Sequence, residues 1–452
     1  MRKLILAPLS LAITFALPHS ASAENLLDIY HAALQNDPTY LASDARTKAT
    51  EEGETQARSA LLPQLNGSAD VSRTESTDGS GEYRGTGDFT SSDETADAKT
   101  LSLKLGQQIY HHDSWISLSQ AGKRSEAARI GLQAQLQGLI TRVAEAYFNV
   151  LAAKDGVEFA EQELKSVGQQ LEQTQQRFNV GLIAITDVHE AKARYDSAQA
   201  QLIAAQNALD NSNESLRQIT GTYYASLNVL KADLPLNSPD PASVDDWVKA
   251  AQENNLPLLG KRLETEIARQ EVKRQQAGHY PTLDAYASLS KRETDTDYQI
   301  EDARDLLNSE GTSKTIGLSL SVPLFSGGRT SSATRAAEHG YVEASQNMEA
   351  AHRQAVRDSR SAYLGINAAI SSVKAFSQAV VSAQSALEAT QAGFEVGTRT
   401  IVDVLQATTQ LYNAKKNLSR ARYDYVLNML RLKASTGALS EADVTQVNTW
   451  LN

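Results

Sequence analysis

Apolar residues recur at intervals of seven along four long stretches of the chain. The first carries Val150, Val157, Leu164, Leu171 and Phe178, and the second Val188, Tyr195, Leu202, Leu209 and Leu216. The third carries Ile366, Val373, Val380, Leu387 and Phe394, and the fourth Val404, Leu411, Leu418, Tyr425 and Leu432. In the second and fourth, small residues follow three places later, as at Ala191, Ala198, Ala407 and Ala414. An ordinary helix of period 3.6 drifts about 20° per heptad, so a register held this long predicts supercoiled helices with close-packed seams. No proline lies between Pro63 and Pro235, and none follows Pro323. Helices can therefore run unbroken. Residues 113–178 alone would span roughly 100 Å at about 1.5 Å per residue, so an elongated molecule is expected.

Two short stretches interrupt the helical pattern, and they are copies of one another. Residues 177–188 read RFNVGLIAITDV and residues 393–404 read GFEVGTRTIVDV. Phe178, Val180, Gly181, Asp187 and Val188 have the counterparts Phe394, Val396, Gly397, Asp403 and Val404, each 216 positions on. A glycine after a helical run, then a few non-periodic residues and an acid, reads as helix end, tight connection and new helix. Gly181 and Gly397 are thus expected at two hairpin tips. Weaker matches, such as Asn36-Asp37-Pro38 with Asn255-Leu256-Pro257 and Tyr147 with Tyr363, extend the duplication to the whole chain. The expected plan is a signal peptide at 1–23, a first repeat over 24–234 and a second over 235–452. Each repeat has a helix, two strands and a coiled-coil hairpin. The strands are expected at about 64–75, 99–110, 281–293 and 313–325, the hairpins at 113–221 and 329–437, before a short C-terminal segment.

The strands are read from alternation. Leu101, Leu103, Leu105 and Ile109 alternate with Ser102, Lys104, Gly106 and Gln108. Ile316, Leu318, Leu320 and Val322 alternate with Gly317, Ser319, Ser321 and Pro323. Period two over about ten residues suits a tilted membrane-spanning strand. It also suits a soluble hairpin with one buried face, because the barrel signal per strand is weak. The polar segments 74–98 and 293–313 are expected as long external loops. Four strands cannot close a barrel, and an open sheet edge finds no partners in lipid. If these strands span a membrane, several chains share one barrel.

Composition narrows the function classes. Arg2 and Lys3, the apolar run 4–17 and Ala21-Ser22-Ala23 read as a secretory signal. The run is shorter than the ~20 residues a spanning helix needs. The chain has no Cys, which removes disulfides, cysteine chemistry and lipid attachment. A net charge of −11 argues against a nucleic-acid partner. No HExxH, P-loop or GxSxG is present, and the eight His are scattered. Gly79, Gly81, Gly85 and Gly87 do not open a helix after a strand, so they are not a phosphate cradle. The expectation is a protein that is not an enzyme and has no cofactor, metal or catalytic residue.

Longer stretches carry a family resemblance: EAYFNVL (145–151), QRFNVGLIAITDV (176–188), LRQITGTYY (216–224), SVPLFSGG (321–328), VGTRTIVDVLQATTQLYNAKK (396–416) and ARYDYVLNMLRLK (421–433). Over essentially its whole length after the signal, the chain resembles the TolC family of outer-membrane efflux and type I secretion channels. The resemblance implies an α+β membrane protein. Three chains of four strands would close a twelve-stranded β-barrel in outer-membrane lipid, continued by an α-helical coiled-coil tunnel in the periplasm. It implies a passive gated duct for drugs or secreted proteins, opened by a periplasmic adaptor and fed by an inner-membrane pump of ABC or RND type. At the tips it implies a pore constriction, with Asp403 forming an acidic ring in the homotrimer. Gln406 stands one turn on, where the best-known member has a second acid. It also implies a gate latch of Thr186, Asp187, Phe394 and Arg399, with Phe394 at a position usually held by Tyr. The alternative class is a periplasmic coiled-coil adaptor, a binding module without membrane strands.

Overall fold

The computed structural model describes residues 24–76, 80–83, 87–90, 92–300 and 303–452. The expected signal at 1–23 lies outside them, as do Gly79 and Gly85. The chain forms two compact units. One takes the chain up to Leu41 with Gln135–Ala251 and Arg357–Asn452; the other takes Ala42–Ala134 and Gln252–Val356. Each unit therefore draws on both sequence repeats.

The second unit holds the sheet. Strands β1 (Gln64–Ser76), β4 (Ser92–Tyr110), β5 (Thr282–Ile300) and β6 (Ala303–Ser321) pair antiparallel in the order β1-β4-β5-β6. Two short strands, β2 (Ser80–Tyr83) and β3 (Gly87–Thr90), pair with each other between β1 and β4. Register sets the faces. Leu65 opposes Leu105, Leu103 opposes Leu289, and Ala287 opposes Ile316, so the apolar residues of all four strands share one face. Ser68 and Ser102 oppose each other on the other face, with hydroxyls 2.8 Å apart. The apolar face is bare: Ile316 is 89% exposed and Leu101 61%. In water such exposure forgoes about 25 cal/mol per Å², whereas a lipid-facing sheet requires it. β1 and β6 are the two edges.

The strands run further than alternation indicated. β4 starts at Ser92 rather than near 99, β5 continues to Ile300 rather than about 293, and β6 starts at Ala303 rather than near 313. Most of the two segments expected as loops is strand. Hydrophobic alternation cannot register a strand that is polar on both faces. Cross-strand pairs mark it instead: Arg73 makes two bonds to Asp97, at 2.7 and 2.6 Å, and Lys291 reaches Glu310 at 2.7 Å.

Beside the sheet this unit holds most of α2 (Pro38–Ser59), α6 (Leu256–Gln276) and the first parts of α3 (His112–Asn179) and α7 (Arg329–Glu395). Asn255 caps α6 by accepting from Leu258 N at 3.0 Å, with Pro257 in the first turn. Glu271 accepts from Arg274 at 2.8 and 2.6 Å, from Gln275 at 2.6 Å and from Gln120 at 3.2 Å. The Arg274 bonds lead in lowering its carboxyl pKa to about 2.

The first unit is helical. It contains α1 (Leu26–Asn36), α4 (Ile185–Thr220), α5 (Val244–Asn254), α8 (Ile401–Ser435), α9 (Glu441–Asn448) and the remainders of α3 and α7. Asn25 caps α1, accepting from Asp28 N at 2.9 Å. The helix ends where Asp37, preceding Pro38, turns extended at ψ 111°. Asp37 is itself buried and ion-paired with Arg142. The main core gathers Ile29, Tyr147, Phe148, Leu216, Val426 and Val447. Tyr147 donates to the Asn228 carbonyl at 2.7 Å and meets Phe148 edge-on at 5.5 Å. A Phe148→Ala cavity here would cost about 3–5 kcal/mol. α3 and α7 run 68 and 67 residues. On α7 the heptad residues Ile366, Val373, Leu387 and Phe394 are buried. On α3 only Val150 is buried: Val157, Leu164 and Leu171 are half-buried and Phe178 is 37% exposed. Toward the tip α3 buries Glu163, Val167 and Thr174 instead.

Candidate gate at the hairpin tips

Both interruptions in the helical pattern are reversals. α3 ends at Asn179 and α4 begins at Ile185. Between them Gly181 takes φ +80°, Gly181 N donates to Phe178 O at 2.8 Å, and Leu182 N donates to Arg177 O at 2.9 Å. Between α7 and α8, Gly397 takes φ +79° and donates to Phe394 O at 3.2 Å, while Thr398 N donates to Gly393 O at 2.8 Å. Both turns need a left-handed residue, which is why glycine stands at each.

The returning helices start differently. Thr400 caps α8: its hydroxyl accepts from Asp403 N at 3.3 Å, and Asp403 Oδ2 accepts from Thr400 N and Oγ1, both at 2.9 Å. These bonds, that of the Thr400 backbone foremost, hold the Asp403 carboxyl below the usual aspartate range. All of them use Oδ2 or the backbone, which leaves Oδ1 outside the cap. At the first tip Ala184 takes the cap position without a side-chain bond, and Asp187 sits in the first turn of α4.

The two tips of one protomer pack on each other. Val167 of α3, Ala191 of α4, Leu387 and Phe394 of α7, and Ile401 and Val404 of α8 form one buried cluster. Arg177 closes it. Its guanidinium carbon lies 4.5 Å from the Phe394 ring centre, and its Nη1 donates to Phe394 O at 3.3 Å. The repeat counterpart of Arg177 is Gly393. A Cβ at Gly393 would come within 2.8 Å of Arg399 Cγ, so the glycine is what lets Arg399 fold over the turn. Arg177 and Gly393 carry no repeat signal. Their signal is a difference, because they are a position where the two copies of the tip differ most.

Of the expected site residues, Thr186, Arg399 and Gln406 are exposed, Asp187 and Asp403 half-buried, and Phe394 buried. Among the described residues, no hydrogen bond or ion pair joins Arg399 to Thr186 or Asp187 within one protomer. Its positive charge acts on Asp403 instead. No group of His, Asp and Glu among the described residues is arranged to hold a metal.

The outer membrane efflux protein family matches residues 29–222 and again residues 247–438, each segment containing one tip. The chain belongs to the outer membrane efflux protein family. Among similar proteins, the outer membrane protein TolC of Vibrio cholerae serotype O1 is 44% identical over 453 residues, covering 100% of this chain and 99% of that protein. The alkaline protease secretion protein AprF of Pseudomonas aeruginosa is 31% identical over 438 residues, covering 96% and 89%. The outer membrane protein VceC of Vibrio cholerae, a solved structure, aligns with TM-score 0.74 over 91% of this chain and 96% of that one. At 23% identity it shares the outer membrane efflux fold.

Proposed function

We propose that this chain is one of three subunits of a gated, passive exit duct in the outer membrane, through which drugs, secreted proteins or both leave the cell. The observation that carries this is a four-stranded sheet, open at β1 and β6 and bare on its apolar face, in one chain with two paired helical hairpins. Open edges are untenable in lipid, so neighbouring copies close the sheet. Three copies give twelve strands around a bore lined by the polar face of Ser68 and Ser102. The heptad stripe of α3, half-exposed in one chain at Leu164 and Leu171, supplies an apolar seam for the next copy.

The gate lies at the tips. Asp403 and Gln406 line the constriction, with three Asp403 carboxylates as an acidic ring. Thr186, Asp187, Phe394 and Arg399 latch neighbouring copies. Val180, Leu182 and Val396 stand exposed at the tips and offer an apolar landing for a periplasmic adaptor. An inner-membrane pump of ABC or RND type supplies cargo and energy. Purified protein in planar bilayers is expected to give a small, cation-preferring pore; no pore at any protein concentration would overturn the reading. Crosslinking in living cells followed by co-purification is expected to recover adaptor and pump.

A further inference from the structure

Glu163 is a carboxylate with only 7% of its surface exposed, on the tip-proximal half of α3. Its Oε1 accepts from the Thr409 hydroxyl of α8 at 2.8 Å. Arg194 of α4 donates to that same Thr409 oxygen. The three groups make a relay, guanidinium to hydroxyl to carboxylate, in which each bond polarises the next. Two members belong to the first hairpin and one to the second.

The surface they occupy is unusual for a seam meant to stay shut. Glu163, Val167, Gln170, Thr174 and Arg177 follow at alternating steps of four and three, so they share one face of α3. Glu163, Val167 and Thr174 are buried there, and the Gln170 Oε1 is buried without a hydrogen-bond partner. Permanent coiled-coil seams bury aliphatic side chains. Beside the apolar cluster around Val167, this face buries a carboxylate, an unpaired amide oxygen and a threonine, groups that favour closure only through specific bonds.

We propose that Glu163, Thr409 and Arg194 form a second lock of the gate, internal to each protomer, that holds the first hairpin to the second behind the tips. Thr409 is the positioning residue: parting the hairpins breaks both of its bonds to the first hairpin together. The lock rests on the gated-duct reading given above. It differs from the tip latch in place and in partners, because it needs no neighbouring copy.

The test is single-channel recording of the assembled protein in planar bilayers. Thr409→Val keeps the shape and removes the hydroxyl; it is expected to raise resting open probability about tenfold, the scale of one hydrogen bond to a charged group. Thr409→Ser restores the hydroxyl and is expected to return the resting value, which a packing role for the threonine methyl would not. A rise with Thr409→Val that Thr409→Ser does not reverse, or no rise at all, overturns the lock. If Thr409→Val fails to assemble, a second variant decides. The chain has no cysteine, so Glu163→Cys with Thr409→Cys can be bridged by a short bis-maleimide without background. In an Arg399→Ser background the bridged protein is expected to stay at low conductance; full opening with the bridge intact overturns the lock. If the unmodified protein forms no pore, it is the duct reading that fails.

Discussion

The Arg177 guanidinium carbon lies 4.5 Å above the Phe394 ring centre, and Arg177 Nη1 lies 3.3 Å from the Phe394 carbonyl oxygen. One side chain of the first tip thus grips both the ring and the backbone of the second. A Tyr at 394 would keep the grip, because a cation sits over either ring face.

Phe394→Leu keeps the carbonyl bond and removes the ring. A partly buried cation–π contact is worth about 0.5–2 kcal/mol, so three copies together shift a two-state gate by a few kcal/mol. Resting conductance is expected to rise several-fold. Phe394→Tyr keeps the ring and adds a hydroxyl whose bond is worth about 1 kcal/mol; it is expected to lower resting conductance and the leak of large antibiotics. A Phe394→Leu channel that rests as the parent does would remove this contact from the gate.

Arg399→Ser is expected to raise resting conductance with no pump present. Within one protomer Arg399 reaches neither Thr186 nor Asp187, so the proposed latch requires a neighbouring copy. Exposed pairs contribute roughly 0.2–1 kcal/mol each, and three act together. Combining Arg399→Ser with Asp187→Asn should add little to either change alone, as for partners in one contact. Fully additive effects would separate the two residues, and an unaltered Arg399→Ser channel would leave closure to helix packing.

Asp403→Asn retains an oxygen for the Thr400 cap and removes the charge. Cation selectivity and block by trivalent cations are expected to fall, with at most a small drop in the thermal unfolding midpoint. The cap depresses the Asp403 pKa. Selectivity should therefore persist at pH values near 3.9, where a free aspartate is half neutral. Selectivity that survives Asp403→Asn would mean that the carboxylate does not face the bore.

Much of the fold was legible because its signals are periodic. The burial of Ile366, Val373, Leu387 and Phe394 on α7, the positive φ of Gly181 and Gly397 and the pairing of Leu101 to Leu105 on one face all follow from local stereochemistry. The strand ends were not legible, since residues such as Thr95 and Thr312 pair without an apolar face. The α3 heptads divide, with Val150 buried and Leu164 and Leu171 half-buried in one chain. They mark the apolar stripe at Leu164 and Leu171, whereas the protomer buries the polar stripe beside it, at Glu163 and Thr174. At the tips the repeated residues stood out and the unrepeated Arg177 did not.

Glu271 gives the acid limb of stability. Its folded pKa, about 2, lies below the ordinary glutamate value, mainly through the Arg274 hydrogen bonds. A depressed carboxyl pKa stabilises the fold above the unfolded value, and that stabilisation is lost as pH falls toward the folded one. Stability from this site should thus be level from pH 7 to about 5 and decline between about 4.5 and 2. Glu271→Gln is expected to flatten that decline in urea titrations across pH. An identical acid limb in the variant would assign the loss to other carboxylates.

The shared barrel is tested most directly by the mass of the protein extracted in detergent, measured by light scattering with the detergent contribution subtracted. The full chain is 49.0 kDa. Three chains sharing twelve strands predict a particle of about three times the mass of one chain, with no folded monomer at any dilution that preserves β content. A single chain with full β content, stable in the detergent, would contradict it.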